Sequence, residues 1–410
     1  MKSTGYVDSP AARRVLHRRT LAVVMASQVF SGAGLAAGVT VGALLAEDML
    51  DTASLSGIPA ALLTLGSAGA ALVVGRLSQR LGRRAGYAAG ALGGAGVVLA
   101  ASIDNVALLL LSLLVYGAGT ATNLQARYAG ADLVGPERRG RAVSSVLVAT
   151  TLGAVAGPNL VAATGHAAAH VGIPTLAGPF ALAAAAYGVA GIILFLLLRP
   201  DPLQIARALQ DTGSAGCEAD RVGPAPGGIT AGAVTMVLTQ LVMVAVMTMT
   251  PVHMKAHGHS LSATGAVIAV HIAAMYLPSP ITGILVDRVG RLPVAVASGL
   301  TLLAAGLVSA TAPEDSVPLL TVGLALLGLG WNLGLVAGTA MITDAAPPHT
   351  RARTQGAVDV SVALAGAGSG IASGVIMAAT SYATLSTAGG LLALAVIPFV
   401  AFRGRLESRV

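Results

Sequence analysis

Gly283-Ile284-Leu285-Val286-Asp287-Arg288-Val289-Gly290-Arg291 decides the reading of this chain, because a second version stands at Gly75-Arg76-Leu77-Ser78-Gln79-Arg80-Leu81-Gly82-Arg83-Arg84. Each copy ends a charge-free apolar run with a glycine, packs its charge into a few residues, and hands over to another charge-free run. The copies lie 208 residues apart. One hairpin later a second pair repeats, Asp132, Pro136, Arg139 and Arg141 recurring as Asp344, Pro348, Arg351 and Arg353 at a spacing of 212. Two matched loops at nearly one spacing indicate a duplicated unit, as internal repeats in transporters do.

Working outward, the charges mark the elements. Uncharged runs cover 21–46, 52–75, 85–103, 105–126, 222–254, 256–286, 292–313 and 316–343, and the longer runs 142–198 and 360–402 hold two crossings each. A crossing needs ~20 apolar residues. The spacing therefore predicts an all-α integral membrane protein, with twelve transmembrane helices as two six-helix bundles. The bundles span 1–198 and 229–410, joined by a polar loop over 199–228. Composition agrees: of 410 residues, 55% are hydrophobic and only 10% charged, against ~25% charged in soluble chains. The single cysteine, Cys217, excludes a disulfide framework or a Cys-rich metal centre.

Lys and Arg set the orientation. Lys2, Arg13, Arg14, Arg18 and Arg19, the loops at Arg76–Arg84 and Arg138–Arg141, and Arg403, Arg405 and Arg409 fall on one side. Glu47, Asp48, Asp51, Asp104, Glu314 and Asp315 fall on the other, with Lys255. Both termini are expected in the cytoplasm, in a multi-pass protein of the cytoplasmic (inner) membrane. The net charge of +7 is then a product of this sorting, with no nucleic-acid partner implied. The expected partners are the lipid bilayer and a small-molecule or ion substrate, bound by a monomer. The histidines cluster with methionine, away from any nucleophile, so no catalytic residue, enzyme activity or resident cofactor is expected.

The pattern G-x-L-x-D-R-x-G-R resembles the loop signature of the major facilitator superfamily, and the resemblance spans the chain. It implies two bundles rocking as a symporter or antiporter, latched on the cytoplasmic side by Gly75, Arg76, Arg80, Gly82 and Arg83, and by Gly283, Asp287, Arg288, Gly290 and Arg291. The first copy departs from the pattern, with Gln79 where an acid is expected. Gly153-Ala154-Val155-Ala156-Gly157-Pro158 is similar to the core of the superfamily's antiporter motif, but Val161-Ala162 replaces the glycines that usually follow.

The chemistry gathers in the seventh and eighth crossings. Five of the eleven methionines, Met236, Met243, Met247, Met249 and Met254, lie in the seventh. Met243 and Met247 are one helical turn apart, as are His271 and Met275 in the eighth. Both pairs fall near mid-depth, where such folds bind substrate. Thioethers with a neutral imidazole suit Cu(I) rather than hard cations. The pattern M-x-x-x-M followed by H-x-x-x-M also resembles the CcoA-like copper importers of the superfamily. That resemblance implies import of copper as transported substrate, bound by Met243, Met247, His271 and Met275. Packing is the alternative for a methionine stripe.

Met236, Gln240, Trp331 and Asn332 are candidate cavity-lining residues. Arg127 and Asp359 are candidates for coupling or for an ion pair, with Arg353 an alternative partner for Asp359 and the membrane interface an alternative position for Arg127. Two functions compete with copper import: proton-coupled efflux of hydrophobic drugs, and organic-solute transport of the riboflavin type. Five Phe, seven Tyr and one Trp are few for the aromatic walls that flat ligands meet, which counts against both.

Overall fold

The computed structural model describes residues 6, 9–50, 58–83, 87–211 and 227–399. Lys2, Asp51, Arg84, Cys217, Arg403, Arg405 and Arg409 lie outside them. The described residues are helical throughout, with short loops and no strand. A bilayer demands this, since a helix satisfies its own backbone hydrogen bonds where water cannot.

The first six crossings are α1 (Pro10–Leu50), α2 (Ile58–Leu81), α3 (Ala88–Ser102), α4 (Val106–Ala131), α5 with α6 (Arg139–Asn159, Val161–His170) and α7 (Gly178–Leu197). A short amphipathic helix, α8 (Pro202–Asp211), follows. The second six are α9 (Gly228–Ala256), α10 with α11 (Leu261–Tyr276, Ser279–Arg288), α12 (Arg291–Thr311), α13 (Val317–Ala345), α14 (Arg351–Ala379) and α15 (Tyr382–Ala393). Eight helical stretches among the described residues meet the length and hydropathy of a span without qualification.

Four of the crossings begin alike. Asn105, Ser260, Ser316 and Ser381 accept the backbone N–H of Leu108, Ala263, Leu319 and Thr384 and so cap α4, α10, α13 and α15. A capping oxygen satisfies one of the donors that every helix start leaves open. The eighth crossing is not one helix, as its charge-free run suggests. It breaks at Leu277-Pro278, because proline supplies no N–H to continue the ladder. Asn332 of α13 repairs the break, donating from Nδ2 to Met275 O and to Ser279 Oγ, both at 2.7 Å.

The chain forms two compact units. The first comprises Met1–Val134, Ser145–Glu218 and Pro348–Ala363. Its interior holds Tyr87, Tyr116, Phe180 and Tyr187, with ring centroids 5.4–5.8 Å apart. Gly153 serves the crossing of α5 over α1, where an added Cβ would stand 1.8 Å from Val29 O. The glycine of the antiporter-like motif thus has a packing reason here. The second unit comprises Gly135–Ser144, Ala219–Pro347 and Leu364–Val410. In it α9 and α10 each lie along α13, while α12 packs on α13 and α15.

Candidate functional site

The repeated loops are built as one device used twice. In the second unit, Asp287 at the end of α11 accepts the backbone N–H of Gly140 through Oδ1 at 2.8 Å and that of Arg141 through Oδ2 at 3.0 Å, at the start of α5. In the first, Gln79 near the end of α2 accepts the N–H of Ala352 at 2.9 Å and of Arg353 at 3.3 Å, at the start of α14. The acceptor positions differ by 208 and the donor positions by 212, so the contact obeys both repeats. Helices α5 and α14 receive from another helix the kind of cap that α4, α10, α13 and α15 take from the residue just before them.

The charge pairs repeat as well. Arg83 Nε donates to Asp132 Oδ2 at 2.9 Å, and Arg291 Nε to Asp344 Oδ2 at 2.8 Å. Arg83 also reaches Gln355 Oε1 at 2.7 Å, and Arg139 shares Asp344. Gly75 lies against Gly356, as Gly283 lies against Gly140 and Ser144. The amide at position 79 therefore makes, at the start of α14, the contact that the acid at position 287 makes at the start of α5. Gly82, at φ +90°, is held under the buried carboxylate of Asp201, which accepts Arg83 N–H at 2.6 Å and caps α8 through Leu203 N–H at 3.1 Å. Gly290, at φ +110°, opens α12. Arg76, Arg80 and Arg288 are exposed, as topology determinants are.

The methionines and His271 are arranged differently from the expectation. The seventh and eighth crossings meet each other sparsely, and their shared neighbour is α13. Met236 fills the notch at Gly338 of α13 and is 2% exposed, so it is a packing residue rather than a cavity wall. Met243 and Met275 are buried, and Met247 and Met249 are partly exposed. His271 is fully buried beside Gly328. Its Nδ1 lies 2.8 Å from Leu324 O; a carbonyl only accepts, so Nδ1 carries the proton. Nε2 then holds a lone pair that meets no donor among the described residues.

Of the candidate cavity residues, Asn332 is fully buried and committed to the break in the eighth crossing, with Thr282 Oγ1 donating to its Oδ1 at 2.6 Å. It is a staple, which corrects its reading as cavity lining. Gln240 and Trp331 form a pair near the middle of α9 and α13. Trp331 Nε1–H donates to Gln240 Oε1 at 2.8 Å, and Tyr276 stands edge-on to the indole at 5.8 Å. Tyr276 was not legible as a site residue, since no motif includes it. Because indole only donates, the amide oxygen must face Trp331. The Gln240 NH2 group therefore turns toward α14, where Gly366 leaves room.

In the first unit, Arg127 is fully buried and pairs with Asp359 rather than reaching the interface, Nη2 to Oδ1 at 2.7 Å. At the C-terminal end of α9, His253 lies between Tyr382 and His257, with centroids 4.3 and 4.4 Å away. His257 Nε2 is 3.4 Å from Glu314 Oε1, and His259 donates to Glu314 O at 2.7 Å. No group of three or more His, Cys, Asp or Glu side chains among the described residues is placed to hold a metal ion.

Comparison with known proteins fixes the family. The chain matches the model of the Major Facilitator Superfamily over residues 20–217 and 231–409. It is 57% identical to the MFS-type transporter YdeG of Bacillus subtilis, over 98% of this chain and 95% of that one. It is 33% identical to the riboflavin transporter RfnT of Brucella anthropi, over 83% of this chain and 85% of that one. Among solved structures, the human organic anion transporter MFSD10 superposes with a TM-score of 0.74 at 17% identity, over 94% of this chain and 99% of that one. A carrier of this kind is not an enzyme and works without a resident cofactor. With its duplicated loops, its helical spans and these relatives, the chain belongs to the major facilitator superfamily of membrane transporters.

Proposed function

We propose that the chain carries a small organic solute with a flat, hydrogen-bonding ring, of the riboflavin type, across the cytoplasmic membrane. It does so by alternating access of two six-helix bundles, 1–198 and 229–410, joined by the loop 199–228, with both termini cytoplasmic. The observation that carries this reading is the Tyr276–Trp331–Gln240 group. Two aromatic rings offer an apolar wall, and an amide locked by the indole presents its donors to a ligand carbonyl. A few oriented polar groups in an otherwise apolar site are what small-molecule recognition uses. The 33% identity to a riboflavin transporter supports the same class. The scarcity of aromatic residues in the sequence weighs less once Tyr276 and Trp331 stand together.

The test is uptake of radiolabelled riboflavin by cells that neither make nor import it, with the chain as the added component. Gln240→Ala removes the donors and is expected to lower uptake roughly tenfold, the cost of one unpaired polar contact. Trp331→Phe keeps a ring but frees the amide to rotate, and is expected to weaken uptake less. Uptake no greater than in cells without the chain overturns the reading.

Import of Cu(I) is the second reading, favoured by the buried Nε2 lone pair of His271. Imidazole and thioether are soft, neutral donors, and Met243, Met247 and Met275 supply the sulfur. In the same cells, His271→Leu and Met243→Leu should abolish copper accumulation while Met249→Leu leaves it intact. Leu–Met exchange usually costs under ~1.5 kcal/mol, so abundance should hold. Equal accumulation in all three variants removes copper.

A further inference from the structure

The C-terminal end of α9 carries a motif that neither the latch nor the solute site uses. His253-Met254-Lys255-Ala256-His257 closes the helix with two histidines at i and i+4, a spacing that sets both imidazoles on one face. Their ring centroids stand 4.4 Å apart. Lys255 falls two residues from each and so faces neither. His166 and His170 on α6 share the spacing, so spacing alone does not single out a site. What singles out the pair on α9 is an acid. Glu314, in the loop between α12 and α13, brings Oε1 to 3.4 Å from His257 Nε2.

The protons decide what that contact is. His257 Nδ1 lies 2.8 Å from the backbone oxygen of His253, and since a carbonyl only accepts, Nδ1 carries a proton. A neutral His257 then turns the lone pair of Nε2 toward a carboxylate oxygen. Two acceptors face each other, and a cation between them resolves the conflict. A tetrahedral ion with bonds of about 2.0–2.2 Å holds its ligand atoms roughly 3.3–3.6 Å apart. The gap of 3.4 Å is the edge of such a tetrahedron.

The surroundings hold both groups in place. The bond from Nδ1 fixes tautomer and ring orientation, as supporting groups of metal-bound histidines do. His259 donates from Nε2 to the backbone oxygen of Glu314 at 2.7 Å and so anchors the loop that carries the acid. His257 and Glu314 are exposed, which leaves the gap open to ions from solution. His253 is the third donor. Its ring lies flat on Tyr382, 4.3 Å away at 14°. Three donors therefore do not converge as the side chains stand, and a turn of His253 off Tyr382 brings its imidazole to the shared face.

We propose that His253, His257 and Glu314 bind a divalent transition ion, Zn²⁺ or Cu²⁺, at the C-terminal end of α9. Two imidazoles and a carboxylate suit these ions, whereas Mg²⁺ and Ca²⁺ take oxygen and Cu(I) takes thioethers. Water completes the coordination. Bound there, the ion fastens the end of α9 to the loop that begins α13 and draws His253 away from α15. Gln240 lies thirteen residues back along α9, about 20 Å of helix, so the inference does not depend on which solute is carried.

Calorimetric titration of Zn²⁺ into the tag-free full chain in lipid nanodiscs tests this at about pH 8, where free imidazole is neutral. The parent carries His166→Gln and His170→Gln, which removes the other pair of this spacing. His257→Gln and Glu314→Gln should each weaken binding roughly a hundredfold, the upper end of what a metal site loses with even a supporting group. His253→Gln should weaken it about tenfold, since that donor must first leave Tyr382. Lys255→Gln, on the same turn and another face, should leave it unchanged. With Cu²⁺ as probe, electron spin echo modulation should report two imidazoles in the parent and one in His253→Gln. Zn²⁺ binding as tight in a His257→Gln, Glu314→Gln double variant as in the parent overturns the proposal. So does an absence of Zn²⁺ binding to the parent, which would leave the gap to a proton alone.

Discussion

At the residue scale, Gln79 and Asp287 show how one position does one task with different chemistry. Asp287 spends both oxygens on two N–H donors. Gln79 meets two N–H donors with its single oxygen and uses its NH2 on the carbonyls of Pro348, at 3.4 Å, and His349. Asn at 287 offers one acceptor and turns an NH2 group against a backbone donor. Asp at 79 loses the bonds to two carbonyls but brings a negative group to a helix start, which the helix dipole favours. Asp287→Asn is therefore expected to destabilise the latched state by ~1.5–3 kcal/mol, the range for hydrogen bonds to charged groups, and Gln79→Asp by less than ~1 kcal/mol. Thermal unfolding of the purified variants measures both, and equal losses would mean the loops serve topology alone. The repeat and its glycines were legible in the sequence because spacing is one-dimensional. That an amide at 79 would reproduce the contact was not, since the sequence showed only a missing charge. Arg127 and Arg353 both stood open as partners of Asp359, and the sequence did not choose between them, since 232 positions separate Arg127 from Asp359 while Arg353 stands within two turns.

At the element scale, charge-free runs located the crossings well, because hydrocarbon thickness fixes their length. They were blind to the break in the eighth crossing and to which helices touch. The Met/His set was built on direct adjacency of the seventh and eighth crossings, whereas each lies chiefly along α13. Adjacency depends on side chains packed across three helices, and no period within one helix encodes it. The break gives the second prediction. Asn332 satisfies a carbonyl and a hydroxyl that the interrupted ladder leaves open. Leucine in its place has similar volume and no polar atom, so the loss is hydrogen bonding rather than packing. Asn332→Leu should cost ~2–4 kcal/mol, from two or three buried groups at ~1–3 kcal/mol each with partial relaxation. A lowered unfolding temperature without loss of membrane insertion is the expected result. An unchanged temperature would show that the eighth crossing satisfies its own break.

At the scale of the whole molecule, charge assigns the repeated loops to one side of the membrane. Arginines concentrate in the loops that begin α3, α5, α12 and α14, and acids in those that begin α4 and α13. The helix starts also differ in how they are capped: the residue just before the helix caps α4, α10, α13 and α15, while α5 and α14 are capped by the ends of α11 and α2. A helix start facing water can be finished by its own serine or asparagine. One finished by another helix ties two crossings together. Charge thus sorts the loops into two sides, with Gly258 on the side of Asp104, Glu314 and Asp315. A reporter active only outside the cytoplasm should therefore be active when fused at Gly258 and silent at Gly228 and Arg405. Activity at Gly228 with silence at Gly258 would invert the second half, place Asp287 outside and strip the repeated latch of its common side.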